Sequence, residues 1–217
     1  MAFNLHHFCS YYSLRHVIDE ATQTKPESWN AIKFCKAVKH KTIKGYLTVP
    51  AQKPFKIDET NVIAARQIFG QWMKHVLGDL FEFAYFIPVP SKDSWNTADF
   101  RSLQMVRDAL PDGKKDRALP LLRFSEERER ASQGGARGYH ATKPFLKISG
   151  YIPGPAPLIL IDDIVTSGGS LIASRNTLLE AGGIVPVAVV CGKTVDSQEF
   201  SFRHSIVSIP DNVFQID

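Results

Sequence analysis

Residues 158–171 have the sequence LILIDDIVTSGGSL, which is the most informative stretch of the chain. Its four leading apolar residues are typical of a strand buried on both faces, as in a parallel sheet. Two adjacent carboxylates, Asp162 and Asp163, come next, and a turn of small residues then precedes an amphipathic segment. Open α/β sheets bind their ligands at the carboxyl ends of the strands, so this turn is a predicted ligand site.

The turn has the composition of a phosphate site. Closely spaced backbone N–H groups and three hydroxyls stand at the start of a predicted helix, contributed by Thr166, Ser167, Gly168, Gly169 and Ser170. Such a helix N-terminus suits a phosphate monoester. The preceding carboxylates suit vicinal sugar hydroxyls and a hydrated magnesium ion, so the whole stretch describes a site for a ribose 5-phosphate. The alternative is a buried strand that ends in a Ser/Thr helix cap.

This stretch resembles the binding motif of type I phosphoribosyltransferases. That motif is an apolar run, two acidic residues, two apolar residues, Thr, Thr or Ser, Gly, any residue, and Thr or Ser, and every position is filled here. The resemblance implies an α/β fold with a mostly parallel sheet flanked by helices, a small hood and, in this chain, an N-terminal helical extension. It also implies that phosphoribosyl pyrophosphate (PRPP) binds with Mg²⁺ as cofactor. Asp162 and Asp163 would be the catalytic residues, holding the ribose hydroxyls and, through water, the metal.

Type I enzymes hold the diphosphate on a second loop, after the first core strand. Here that position falls to Ser91 and Lys92, which follow a predicted strand at residues 83–89. Exposed backbone amides and an ammonium are groups that bind a diphosphate. An ordinary polar turn has the same composition, so both interpretations stay open.

The family also carries a long lid, and residues 125–143 occupy its place here. Arg128, Arg130 and Arg137 are the lid candidates for binding the diphosphate, and closure would exclude water. The alternative is an ordinary polar, glycine-bearing loop.

Some purine enzymes place a lysine after the last core strand, on the exocyclic oxygen of the base. Lys193 stands there and is either a base-recognition residue or a surface lysine.

Among the subfamilies, the chain is distantly similar to the ComF-type competence-associated phosphoribosyltransferases. The similarity lies in the proline-bracketed residues 87–90 and in the Arg- and Gln-containing lid. The leading four-cysteine zinc ribbon of those proteins and their Arg-Gly-Phe-Asn stretch are both missing from this sequence. The competence role is therefore not carried over.

Hydrophobic spacing predicts helices at residues 27–41, 59–80, 98–110 and 169–181. Strands are predicted at residues 83–89, 119–124, 144–148 and 184–190, besides the motif strand. This alternation is typical of a mostly parallel sheet. We expect an N-terminal extension with hood elements at 1–58 and a phosphoribosyltransferase-like domain at 59–217, together forming one compact unit. Residues 205–217 are expected to contribute to the hood.

Composition favours a cytoplasmic protein. The chain has 217 residues, of which 26 are basic and 22 acidic, and a net charge of +4 is too small to indicate nucleic-acid binding. Lys33, Lys36 and Lys39 are interpreted as a solvated helix face. The only cysteines, Cys9, Cys35 and Cys191, are far apart in sequence and form no metal-ligand pair, which predicts reduced thiols. No apolar stretch is long enough for a membrane span.

The predicted function is that of a transferase in nucleotide metabolism. It would move ribose 5-phosphate from Mg–PRPP to a nucleobase or other nitrogen acceptor and release diphosphate, which is a pentosyl glycosyltransferase reaction. The alternative is a PRPP- or nucleotide-binding regulatory or accessory subunit without turnover. A nucleic-acid-linked role is the weakest interpretation, since it depends on the N-terminal lysines. A homodimer is the expected oligomer of a small α/β enzyme, and no membrane partner is expected.

Overall fold

The fold is built from nine strands and six α-helices in the parts of the chain that the structure describes. The structure is a computed structural model that describes residues 3–12, 26–39, 46–49, 53–56, 62–128, 138–195 and 205–209. In chain order the elements are β1 (Phe3–Tyr12), α1 (Pro26–Val38), β2 (Tyr46–Leu47), β3 (Phe55–Lys56), α2 (Val62–Leu77), α3 (Leu80–Phe83), β4 (Tyr85–Pro88), α4 (Arg101–Ala109), β5 (Leu122–Phe124), α5 (Tyr139–Thr142), β6 (Leu146–Ile148), β7 (Pro157–Val165), α6 (Gly169–Glu180), β8 (Ile184–Val195) and β9 (Ser205–Ile209).

Five of these strands form the central sheet, in the order β4–β7–β8–β1–β9. The first four are parallel to one another, and β9 pairs antiparallel with β1 at the edge. The α/β fold class with a mostly parallel sheet flanked by helices is thus confirmed. The motif strand β7 lies inside the sheet, between β4 and β8, which explains why its sequence is continuously apolar.

Helices cover both faces of the sheet. On one face, Ile159 and Ile161 of β7 pack in a buried cluster with side chains of α1, α2 and α4. On the other face, Leu158 and Leu160 pack with side chains of α6. Alternate residues of β7 therefore enter two separate cores, so the strand and its acidic end are held from both sides.

Strand β1 was not predicted, because residues 1–58 were expected to form a helical extension with hood elements. The sequence FNLHHFCSYY mixes aromatic, polar and imidazole side chains, and its pairing partners on β8 lie about 180 positions away. Within the same segment, α1 confirms the predicted helix, and the short strands β2 and β3 pair with each other. Since β1 joins the central sheet, the extension and the following residues share one sheet; the boundary at residue 58 stays a prediction.

Two further segments differ from their predicted places. The strands predicted at 119–124 and 144–148 appear as β5 and β6, which form a separate antiparallel pair instead of joining the parallel sheet. A bridge between Phe86 and Ala118 links the start of this segment to β4. Residues 205–209, which were expected in a hood, form the edge strand β9. In each case the partner strand is distant in sequence, and hydrophobic spacing carries no information about pairing.

None of the helices in the described part of the chain is both long and apolar enough to cross a membrane.

Candidate functional site

A cavity of about 520 Å³ opens at the carboxyl ends of β4 and β7. Ligand sites of open α/β sheets are found in this position. Ten of the residues predicted to form the site line this single cavity: Asp162, Asp163, Thr166, Ser167, Gly168, Gly169, Ser170, Ser91, Lys92 and Arg128. The fold therefore brings together two loops that are separated by about 70 positions in the sequence.

The paired acids lie near the end of β7 and hold each other in place. The backbone N–H of Asp163 donates to Oδ1 of Asp162 at 2.8 Å. Oδ2 of Asp163 lies 2.6 Å from Nζ of Lys39, the residue that directly follows α1. The Asp163 side chain is 16% exposed, so one carboxylate at the cavity wall is already paired with an ammonium.

The two acids have different electrostatic environments. Burial raises the pKa of Asp162 well above its usual range, and the negative charge of Asp163 raises it further. Burial lowers the pKa of Lys39, but the carboxylates of Asp163 and Asp162 outweigh this, so the pKa of Lys39 is raised. The Lys39–Asp163 ion pair thus lies beside a carboxyl group, that of Asp162, which retains its proton to higher pH.

The loop after β7 turns through a left-handed glycine. Gly168 has φ 82°, a conformation that side-chain-bearing residues rarely adopt, and its carbonyl accepts the first α6 hydrogen bond from Ile172 at 3.0 Å. The N-terminus of a twelve-residue helix therefore lies at the cavity, directly after the acids. Its free backbone N–H groups and the positive end of its dipole favour an anion there.

Gly169 has a different role, because it lets two backbones meet. A Cβ atom at Gly169 would lie 2.5 Å from the backbone nitrogen of Tyr139 and 2.6 Å from Cα of Gly138. The segment that contacts it is the end of the predicted lid. Gly169, which stands at the position of the motif that is open to any residue, is therefore required in this chain for packing of this segment onto α6.

The predicted diphosphate loop is fixed by paired serines. The backbone N–H of Ser91 donates to Oγ of Ser102 at 3.0 Å, and the N–H of Ser102 donates to Oγ of Ser91 at 3.2 Å. Ser102 Oγ in turn donates to the carbonyl of Val89 at 2.7 Å. Lys92 begins a short 3-10 helix, Lys92–Trp95, on the same wall of the cavity. The loop is thus held rigidly between β4 and α4 with its lysine at the cavity.

Only parts of the predicted lid fall within the described residues. Arg128 lines the cavity, but its guanidinium lies 4.9 Å from the ring centre of Phe124 and 5.1 Å from that of Phe145. It also donates to the carbonyl of Ala141. Arg130 and Arg137 lie outside the described residues. Residues 139–142 form helix α5, which packs on α6, so this end of the predicted lid is an ordered element.

Lys193 lies on β8, opposite Val165 of β7 and Ser10 of β1. Within the described ranges it is not among the residues that line the cavity. Its role in base recognition stays a prediction.

Three cavity cations were missed by the sequence interpretation. Lys39 was expected on a solvated helix face, and neither Arg66 nor Arg101 was considered, yet all three line the cavity. Arg66 is buried, donates from Nε to the carbonyl of Val38 at 2.9 Å, and pairs through Nη1 with Asp108 at 2.6 Å. It therefore fixes the end of α1 that precedes Lys39. Nothing local in the sequence distinguishes these cations from surface residues.

Comparison with known proteins gives a structural likeness at low scores. Solved structures that are similar to this chain include the UMP synthase of Leishmania donovani, with 19% identity, 75% of this chain and 31% of that chain covered, and a TM-score of 0.39. Another is the orotate phosphoribosyltransferase of Mycobacterium tuberculosis H37Rv in complex with Fe(III) dicitrate, with 15% identity, 78% and 88% coverage, and a TM-score of 0.35. The chain thus spans less than a third of the length of the UMP synthase. No family model and no curated protein matches the sequence. Similarities at these scores do not establish a shared activity.

The geometry of the site itself defines what it can bind. The carboxylates of Asp162 and Asp163, the N-terminus of α6, and the cations Lys92 and Arg101 all line the same cavity. A ligand that carries a diol between two phosphate groups matches this arrangement of acceptors, amides and cations.

Proposed function

We propose that this protein is a phosphoribosyltransferase that transfers ribose 5-phosphate from Mg–PRPP to a nucleobase or another nitrogen acceptor. The observation that carries the proposal is the single cavity shared by the acid pair, the loop at the start of α6 and the Ser91–Lys92 loop. PRPP has a 5-phosphate, two ring hydroxyls and a diphosphate, and each has a chemically matched partner along this cavity.

The 5-phosphate is assigned to residues 166–170. The left-handed turn at Gly168 directs the chain into α6, so backbone N–H groups of the first turn are without helical acceptors and are available to phosphate oxygens. Binding energy gained at this remote group positions the reacting carbon of the ribose.

The ribose hydroxyls are assigned to Asp162 and Asp163. An ionised carboxylate only accepts hydrogen bonds, so two adjacent carboxylates suit a vicinal diol. When diphosphate leaves, positive charge develops on the ribose, as in glycoside hydrolysis. Negative side chains beside the sugar stabilise that cationic transition state more than the ground state.

The diphosphate is assigned to the loop at residues 91–92, with Arg101 beside it. Oδ2 of Asp93 orients Arg101 by accepting from its Nε at 3.3 Å and from its backbone N–H at 3.2 Å. In the reaction, the bond between the sugar C1 and the diphosphate oxygen breaks, and its electron pair stays on the departing diphosphate. The nitrogen of the acceptor forms the new bond to C1, and its proton passes to solvent.

Carboxylate oxygens are ligands that Mg²⁺ prefers, so Asp162 and Asp163 fit a hydrated Mg²⁺ that arrives with PRPP. Bound magnesium would neutralise part of the diphosphate charge. The ammonium of Lys39, at 2.6 Å from Oδ2 of Asp163, competes for one of these oxygens. Lys39 therefore has to move or share this oxygen when the ligand binds.

The same ion pair favours a second candidate function, a PRPP- or nucleotide-binding subunit without turnover. Lys39 offsets the negative charge that would stabilise the transition state, while leaving the phosphate loop intact.

A measurement of diphosphate release separates the two candidate functions. The protein is incubated with Mg²⁺, PRPP and a panel of nucleobases, and the Asp162→Asn, Asp163→Asn double variant serves as control. Release that needs an acceptor supports the transferase, binding without release supports the subunit, and failure to bind PRPP contradicts both.

The affinity for ribose 5-phosphate is expected to rise with pH through the raised pKa of Asp162. Burial keeps the Asp162 carboxyl group protonated to higher pH. Because the diol binds the ionised carboxylate, binding requires that Asp162 first loses this proton. Below this pKa, affinity should therefore increase by up to about tenfold per pH unit. Calorimetric titration at a series of pH values measures the slope.

The ligand's own phosphate also titrates, so the Asp162→Asn variant provides the reference curve. The variant should keep only the pH dependence that belongs to the ligand. Identical slopes in both proteins would show that ionised Asp162 does not accept the hydroxyls.

A further inference from the structure

The three cysteines of the chain meet at one point in the fold. Cys9 lies on β1, Cys35 on α1 and Cys191 on β8, and each is fully buried. The Sγ atoms of Cys9 and Cys35 are 3.4 Å apart, and those of Cys35 and Cys191 are 3.8 Å apart. All three sulfurs lie within 4.8 Å of one another. The cysteines are 26 and 156 positions apart in the sequence, which gave no indication of a metal-ligand pair, yet the fold brings their sulfurs together.

A neighbouring glycine makes room for this cluster. A Cβ atom at Gly192 would lie 2.4 Å from Sγ of Cys35 and 3.2 Å from Cε1 of Tyr11. Glycine inside a strand weakens it and is typical of places where another group approaches closely. The approaching group here is the sulfur of Cys35, so the sheet is adapted to hold a thiol at this position.

We propose that Cys9, Cys35 and Cys191 form a three-thiolate site for a thiophilic closed-shell cation, Zn²⁺ or Cu⁺. Zinc–sulfur bonds of about 2.3 Å in a tetrahedral site hold sulfurs about 3.8 Å apart. The observed separations of 3.4 and 3.8 Å are close to this spacing, so small side-chain movements suffice for coordination. Thiolate ligands select these soft cations over Mg²⁺, so the site is chemically distinct from the carboxylates.

The number of thiol ligands determines which metal ions the cluster can hold. Among the described histidine, cysteine, aspartate and glutamate residues, the metal-ligand group consists of these three thiols. Three sulfur ligands are a complete set for trigonal Cu⁺, whereas Zn²⁺ would need a fourth ligand from outside this group. Binding replaces the thiol protons by the metal, so each coordinated cysteine releases one proton.

The position of the cluster links it to the functional cavity. Asp162 pairs in register with Val190 and Ile164 with Gly192, so the acid pair and Cys191 lie at the same level on neighbouring strands. On α1, the backbone N–H of Lys39 donates to the carbonyl of Cys35 at 3.0 Å, one helical turn away. A cation bound by the three thiolates joins β1, β8 and α1 and thereby fixes the helix end from which Lys39 reaches Asp163.

Metal analysis of the full chain tests the site without any phosphoribosyl ligand. The protein is purified under reducing conditions without chelators, and bound zinc and copper are measured by mass spectrometry. Apoprotein is then titrated with Zn²⁺ and, anaerobically, with Cu⁺, and Co²⁺ serves as a spectroscopic probe through thiolate-to-cobalt charge transfer. We expect uptake near one ion per chain, a charge-transfer band, and release of about one proton per coordinated thiol.

Single Cys9→Ser, Cys35→Ser and Cys191→Ser variants should each lose the bound metal. The Asp162→Asn, Asp163→Asn double variant should retain it, since it removes only hard ligands. If a cysteine variant does not fold, the protons released by the wild-type chain on metal addition count the coordinated thiols. Absence of uptake, with no charge-transfer band and no proton release, would show that the thiols are only core packing. A Cys9–Cys35 disulfide whose reduction gives no metal uptake would also overturn the proposal.

Discussion

The Asp162→Asn, Asp163→Asn double variant is expected to lose most of its affinity for PRPP. Each carboxylate is assigned to ribose hydroxyls, and a hydrogen bond to a charged group contributes about 1.5–3 kcal/mol. Loss of both should therefore lower affinity by at least about two orders of magnitude, since about 1.4 kcal/mol corresponds to tenfold. Calorimetry with Mg²⁺ and PRPP on both proteins measures the change.

Two controls isolate the cause of this loss. Asp112→Asn removes a carboxylate that is 95% exposed and pairs only with Lys115 in the described part of the chain, so affinity should not change. Lys39→Met removes the partner of Asp163 and reports what the broken ion pair contributes. Equal PRPP affinity in the double variant and the wild type would refute the assignment of the acids to the ribose.

Gly169→Ala is expected to destabilise the protein and to weaken binding of ribose 5-phosphate. The added Cβ would lie 2.5 Å from the Tyr139 nitrogen, and backbone atoms cannot rotate away as a side chain does. Overpacking of this kind costs about 1–3 kcal/mol, although alanine is ordinarily the better helix residue. Because Gly169 is the first residue of α6, the displacement should also move the phosphate site. Thermal unfolding and calorimetry measure the two effects.

Gly182→Ala is the matched control at the other end of the same helix. Gly182 has φ +85°, but a Cβ atom added there would meet no neighbouring atom within 4 Å, so alanine introduces backbone strain without a steric clash. It should cost about 1–2 kcal/mol in stability and leave phosphate binding unchanged. If Gly169→Ala binds ribose 5-phosphate as the wild type does, the contact with residues 138–139 does not position the phosphate loop.

The sequence by itself determined the parallel sheet around β7, the turn and helix that follow it, and the α/β class. These features depend on local chemistry: a continuous apolar run predicts burial on both faces, and glycine predicts the positive φ found at Gly168. The helices α1, α2, α4 and α6 were found for the same reason, since their apolar spacing is local. The candidate binding residues at 162–163 and 166–170 were also identified in this way, whereas those at 91–92 came from the resemblance to type I phosphoribosyltransferases.

Only the tertiary structure decided which distant residues contact these binding residues and strands. Lys39 is 124 positions from Asp163, and its neighbourhood in sequence is that of an ordinary basic helix end. The pairing of β1 between β8 and β9 and the separate β5–β6 pair likewise depend on contacts between distant segments. The convergence of Cys9, Cys35 and Cys191 has the same cause. Periodicity shows which side of an element is buried, but the partner on that side is fixed by packing of the whole chain.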